Sequence, residues 1–221
     1  MNEITLTNTE GPHANAHALV RGNTVKPTRA LLLFHGRGAS AGNILSLTED
    51  VALPGDMLVC APEAAGHTWY PKPFNVPRPD NEPHLSSALG VIDSLIAFCK
   101  SQYGITPDSI VLAGFSQGAC LVADYIAHNP KKYAGACIFS GGLIGDDEEI
   151  ITNAWKGSLK ETPVYIGCDE QDPHIPRERV EETSAVFKKM GATVTSRLYS
   201  CLGHAIHPGG IMFLSELLNR R

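Results

Sequence analysis

The chain has no surplus of positive charge: 18 Lys and Arg stand against 23 Asp and Glu, a net charge of −5 over 221 residues. No basic block or stripe interrupts that balance, which argues against a nucleic-acid partner. No apolar run approaches the ~20 residues that a membrane-spanning helix needs, so no span is expected. Residues 1–20 lack a basic segment followed by an apolar one, so no secretory signal is expected either. None of the six cysteines forms a C-x-x-C pair, which removes zinc-ribbon and thioredoxin readings. Most of them lie inside apolar runs, and all are read as buried, reduced thiols of a cytoplasmic protein. The acidic run at 146–149 is short and reads as a solvated loop or a helix start. Repeats, low-complexity tracts and linkers are missing, so residues 1–221 are assigned to one domain.

What the sequence does contain is alternation. Segments 30–35 (ALLLFH), 57–61 (MLVCA), 109–115 (SIVLAGF), 135–140 (GACIFS) and 163–168 (PVYIGC) are short and continuously apolar. Such runs suit strands covered on both faces of a parallel sheet. Segment 193–199 (TVTSRLY) alternates and suits an outer strand, and 15–20 suits an antiparallel strand at the opposite edge. Between these runs, Leu85, Leu89, Ile92, Ile96, Cys99 and Tyr103 recur at three- and four-residue spacing and mark a helix. Further helices are predicted over 43–52, 117–128, 177–190 and 208–218. Gly191 stands where the 177–190 helix would want a left-handed residue, and Pro130 would stop the 117–128 helix. The expected fold is α/β, a doubly wound, mostly parallel sheet flanked by helices on both faces. Sites in such folds lie beyond the carboxyl ends of the strands. Residues 63–84 break the pattern with Pro71, Pro73, Pro77, Pro79 and Pro83. A long aperiodic loop of this kind is a candidate pocket wall, with Trp69, Tyr70 and Phe74 as candidate substrate contacts. The competing reading is that these aromatics pin the loop to the core.

Gly114-Phe115-Ser116-Gln117-Gly118 fits G-x-S-x-G between a predicted strand and a predicted helix, the context of a nucleophile elbow. A serine needs a base, and the base needs an orienting carboxylate. In this arrangement the chain order is serine, acid, histidine. The loop after the 163–168 strand offers Asp169 and Asp172, and Asp172 is preferred because Pro173 and a new helix follow it. The loop after the 193–199 strand offers His204. His207, next to Pro208, reads instead as a helix cap or surface residue. With no third clustered ligand, the two histidines do not suggest a metal site, and no cofactor is implied. Two backbone amides should receive the oxyanion, that of Gln117 and that of Arg37 in the glycine-rich stretch 34–40 (FHGRGAS).

Four segments together, LLLFHGRGAS at 31–40, GFSQGA at 114–119, DPHIP at 172–176 and GH at 203–204, resemble the phospholipase/carboxylesterase family, which includes the acyl-protein thioesterases. The resemblance implies an α/β-hydrolase fold, with Ser116 as nucleophile, Asp172 as triad acid, His204 as base and Arg37 as a backbone oxyanion donor. The chain departs from the thioesterases at Arg37, where they carry an apolar residue, and at Ala119, where they carry glycine. Trp69-Tyr70-Pro71 is closer to bacterial carboxylesterase members. The expected activity is hydrolysis of a small-molecule carboxylic ester, thioester or lysophospholipid through an acyl-enzyme, by a monomer or homodimer. The alternatives are a depalmitoylating thioesterase and a non-catalytic receptor of the same fold.

Overall fold

In the computed structural model, which describes residues 2–7 and 9–220, the apolar runs assemble into one eight-stranded sheet. The strands are β1 (Asn2–Thr5), β2 (His17–Gly22), β3 (Arg29–Phe34), β4 (Met57–Pro62), β5 (Ile110–Phe115), β6 (Gly135–Phe139), β7 (Pro163–Asp169) and β8 (Thr193–Tyr199). Their order is β1-β2-β4-β3-β5-β6-β7-β8. The six strands from β3 to β8 run parallel, and β2 pairs antiparallel with both β1 and β4. The expected antiparallel strand therefore exists, but it is not the edge. Four residues at 2–5 cover it, a segment too short and too polar to stand out in the sequence.

Six helices cover the sheet: α1 (Ala41–Leu45), α2 (His84–Tyr103), α3 (Gln117–His128), α4 (Asp147–Thr152), α5 (Arg177–Lys189) and α6 (Pro208–Asn219). Side chains alternate across a strand, so Ala30, Leu32 and Phe34 of β3 join the core layer that also holds side chains of α2, α3 and α5, while Leu31 and Leu33 join the opposite layer with those of α1 and α6. Each of these leucines is fully buried, worth about 1.5–3 kcal/mol by removal from water. The predicted helix at 43–52 is instead a short α1 that tightens into a 3₁₀ turn at Ser46–Glu49. Residues 50–52 leave the helix. The acidic run is a helix start: Asp146 caps α4 and accepts from the Glu149 amide at 2.8 Å.

The strand–helix junction at β5–α3 depends on two glycines. A Cβ on Gly118 would lie 2.2 Å from the Phe34 carbonyl oxygen, and one on Gly114 would lie 2.3 Å from the Gly118 carbonyl oxygen. Only hydrogen at these positions lets α3 start directly against the end of β3. Gly118→Ala should therefore cost about 1–3 kcal/mol through overpacking against rigid backbone. Urea unfolding should show this as a lowered midpoint, and a wild-type midpoint would refute the packing argument.

Candidate active site

Ser116 sits at the turn between β5 and α3 with φ 54° and ψ −119°, a conformation that a side chain rarely adopts. Hydrogen bonds hold it there: the Ser116 amide donates to Phe139 O at 2.9 Å, and the Cys120 amide donates to Ser116 O at 3.0 Å. The strain tips the hydroxyl out over the carboxyl edge of the sheet. Gly36 gives it room, since a Cβ there would stand 3.2 Å from the Ser116 Cβ.

The two later loops bring the other groups. Ser116 Oγ lies 2.8 Å from His204 Nε2, and His204 Nδ1 lies 2.7 Å from Asp172 Oδ2. With the carboxylate on Nδ1, the imidazole keeps its proton there and turns a lone pair toward the hydroxyl. Asp172 is itself fixed, because Oδ1 accepts from the His174 and Ile175 amides at 2.8 and 3.0 Å. Burial pushes the Asp172 carboxyl toward neutrality, but the His204 bond and the two amides outweigh it, so its pKa falls below the ordinary value. The Cys168 thiol also approaches Asp172 Oδ2, at 3.5 Å. No sequence pattern singled out this contact, which arises because Cys168 precedes the loop on β7.

Asp169, the competing acid, does not touch His204. Its Oδ2 accepts from the Leu202 and Gly203 amides at 2.8 and 3.0 Å, and so holds the loop that carries the imidazole. His207 caps α6 by accepting from the Gly209 amide at 3.2 Å, and it stacks on Tyr199 with ring centroids 3.4 Å apart. Cys201, expected to be buried, is exposed in the same loop, at a left-handed turn (φ 72°). The other five cysteines are buried.

The Arg37 and Gln117 amides have no hydrogen-bond partner among the described residues, which leaves two donors beside Ser116. The side chains of both residues do something the sequence did not suggest. The Gln117 amide group accepts from the Trp69 N–H at 2.9 Å and donates to Tyr70 O at 2.7 Å. The Arg37 guanidinium donates to Pro71 O at 2.7 Å and Lys72 O at 2.8 Å. Both side chains thus tie the proline-rich loop to the turns around Ser116. Further along, Arg78 pairs with the fully buried Asp124 of α3, and the Gly145 amide donates to Phe74 O at 2.8 Å.

A cavity of about 640 Å³ opens beside Ser116, and Tyr70 and Phe74 line it together with Pro73, Cys120 and Ile175. Trp69 does not line it, and the expectation that it faces substrate is corrected. Its side chain is fully buried, its indole N–H donates to His35 O at 2.9 Å, and its ring packs on Phe34 and His35. The indole pins the loop to the core because a buried N–H must find a partner, and the end of β3 supplies it.

A parallel sheet with the serine elbow at its centre, and an acid and a histidine arriving in that order from later strands, defines an α/β-hydrolase. The chain belongs to the phospholipase/carboxylesterase family, whose model matches residues 15–220. A similar protein is acyl-protein thioesterase 1 of Kluyveromyces lactis, 31% identical over 72% of this chain and 76% of its own length. Another is a probable carboxylesterase, SOBER1-like, of Arabidopsis thaliana, 27% identical over 76% of this chain. The match spans 64% of that relative's length, just under two thirds. The crystal structure of a phospholipase/carboxylesterase from Dyadobacter fermentans superposes with a TM-score of 0.85 at 36% identity, covering 92% of this chain and 96% of that one.

Two buried histidines brace the site in their neutral form. His35 Nε2 accepts from the Ala64 amide at 3.1 Å while Nδ1 faces Gly36 O at 2.8 Å. His13 Nδ1 accepts from the Ala65 amide at 3.1 Å while Nε2 faces Trp69 O at 2.9 Å. Burial lowers both pKa values from 6.5, against the carbonyl contacts and, for His35, against the charge of Glu63. A second proton would also destroy the acceptor nitrogen. The unfolded chain therefore binds more protons, so stability is full above about pH 6.5 and falls as pH drops below it. Urea midpoints at about pH 7.5 and 5.5 should show the loss, and His35→Gln should show a smaller one. An equal loss in the variant would contradict this assignment.

Proposed function

We propose that this chain cleaves small-molecule carboxylic esters through an acyl-enzyme on Ser116. The single observation that carries the reading is the unbroken hydrogen-bonded line from the hydroxyl through His204 to Asp172. Ser116 Oγ attacks the acyl carbon as His204 Nε2 takes its proton. The Arg37 and Gln117 amides receive the oxyanion, and Asp172 balances the imidazolium. His204 then gives the proton to the leaving oxygen as the carbon–oxygen bond breaks. Water, deprotonated by the same nitrogen, releases the acid and restores the serine. The cavity walled by Tyr70 and Phe74 holds the acyl group, since apolar side chains dominate its lining.

A receptor of the same fold would have no use for a strained serine aligned with a base, so catalysis is the better reading. Thioesters are the second reading. The Kluyveromyces relative is called a thioesterase, and the same line of groups would expel a thiolate as readily as an alkoxide. Five buried thiols fit a reducing, cytoplasmic setting, and no described helix is long and apolar enough to cross a membrane.

With p-nitrophenyl acetate, Ser116→Ala should lose about 10⁴-fold or more in kcat, and fluorophosphonate labelling should vanish with it. Wild-type turnover in that variant would end the proposal. Asp172→Asn should lose about 10³–10⁴-fold, because the imidazole would no longer be held in the right tautomer. Asp169→Asn should lose far less in kcat but should lower thermal stability, because it weakens two loop hydrogen bonds. Equal kinetic losses in the two variants would reverse the assignment of the acid.

A further inference from the structure

A second cleft, of about 490 Å³, adjoins the first and is lined by His35, Gly36 and Ala39 on one side and by His204, Ala205 and Ile206 on the other. Phe115 and His204 border both clefts, whereas Ser116 and Gln117 line only the first. The reacting carbonyl therefore belongs in the first cleft, within reach of the hydroxyl and the oxyanion amides. The departing oxygen must take its proton from His204 Nε2. It has to lie on the imidazole side, and the second cleft opens from there.

The two clefts differ in charge. Histidines aside, the first has Arg37 as its charged side chain and the second has Asp50. Apolar Ile44, Leu47 and Ile211 line the second together with Asp50 and the imidazole. Asp50 follows the last turn of the segment that begins as α1 and ends at Glu49, so carbonyl ends add to its negative field. An acid there is unfavourable for the helix, and its exposed carboxylate, free of any hydrogen bond or ion pair among the described residues, stands in water at the cleft, open to an incoming cation.

We infer that the second cleft is a leaving-group subsite that selects alcohols with an apolar body and a cationic end, an amino-alcohol or quaternary-ammonium class, through Asp50. The inference rests on the proposed Ser116 hydrolysis. In that step the Ser116 Oγ–carbonyl bond forms, the carbonyl–alkoxy bond breaks, and His204 passes the proton it took from Ser116 to the departing alcohol. The cationic alcohol leaves through the second cleft, and the acyl chain stays in the first.

The test compares choline butanoate with the isosteric, uncharged 3,3-dimethylbutyl butanoate, using wild type and Asp50→Asn. Each kcat/KM is divided by the hydroxide-catalysed rate of the same ester. Wild type should favour the choline ester, and Asp50→Asn should remove roughly three- to tenfold of that preference without changing turnover of the neutral ester. Raising the salt concentration should shrink the wild-type preference alone. A ratio near one in wild type, or a preference that survives Asp50→Asn, overturns the subsite. If p-nitrophenyl acetate is still cleaved in that case, the hydrolase reading stands without it. A wild-type enzyme inert toward all three esters overturns both.

Discussion

The left-handed backbone of Ser116 is the constraint on which everything else in the site depends. A serine at φ 54° is strained, and the strain persists only because the surroundings leave no alternative. The Phe139 carbonyl holds its amide from β6. Gly118 lets α3 abut the end of β3, and Gly36 clears the space above the side chain. Ala119 continues this packing: a Cβ on Gly141 would come 2.6 Å from its methyl group, so its methyl fits because the facing loop carries glycine. The strained turn yields a half-buried hydroxyl at the cavity and, one residue on, an amide free to donate.

Around that turn, charge is handled by keeping most of it away. His13 and His35 brace the site as neutral rings, each accepting one backbone amide. In the proposed mechanism Asp172 carries the negative charge that the base needs, and three hydrogen bonds favour its ionised form although its side chain is buried. Asp169 contributes through geometry, since its carboxylate ties the β7 loop to the loop that carries His204. The acid and the base therefore cannot drift apart independently.

The proline-rich loop shows why polar residues near a site need not be catalytic. Gln117, Arg37, Trp69 and Arg78 each satisfy a backbone or carboxylate group of this loop or of its neighbours. An aperiodic segment has no ladder of its own, so side chains must satisfy its backbone groups. The result is a wall firm enough to give Tyr70 and Phe74 a defined position at the cavity.

The fold class was legible because continuous apolar runs and three-to-four spacing are direct consequences of burial on a sheet and of helical geometry. The serine turn and the order of serine, acid and histidine were legible because glycine spacing and chain order are local properties. The short β1 was not, since four half-polar residues carry no periodic signal. Nor was the fate of Trp69 or of Cys201, because which face a loop residue shows depends on partners distant in the chain. The sequence alone determined which residues could become nucleophile, base and acid. Only the tertiary structure decided that Asp172 rather than Asp169 meets the imidazole, and that two clefts of opposite charge flank it. Those outcomes turn on distances between segments, and a distance between segments exists only once the sheet has brought them together.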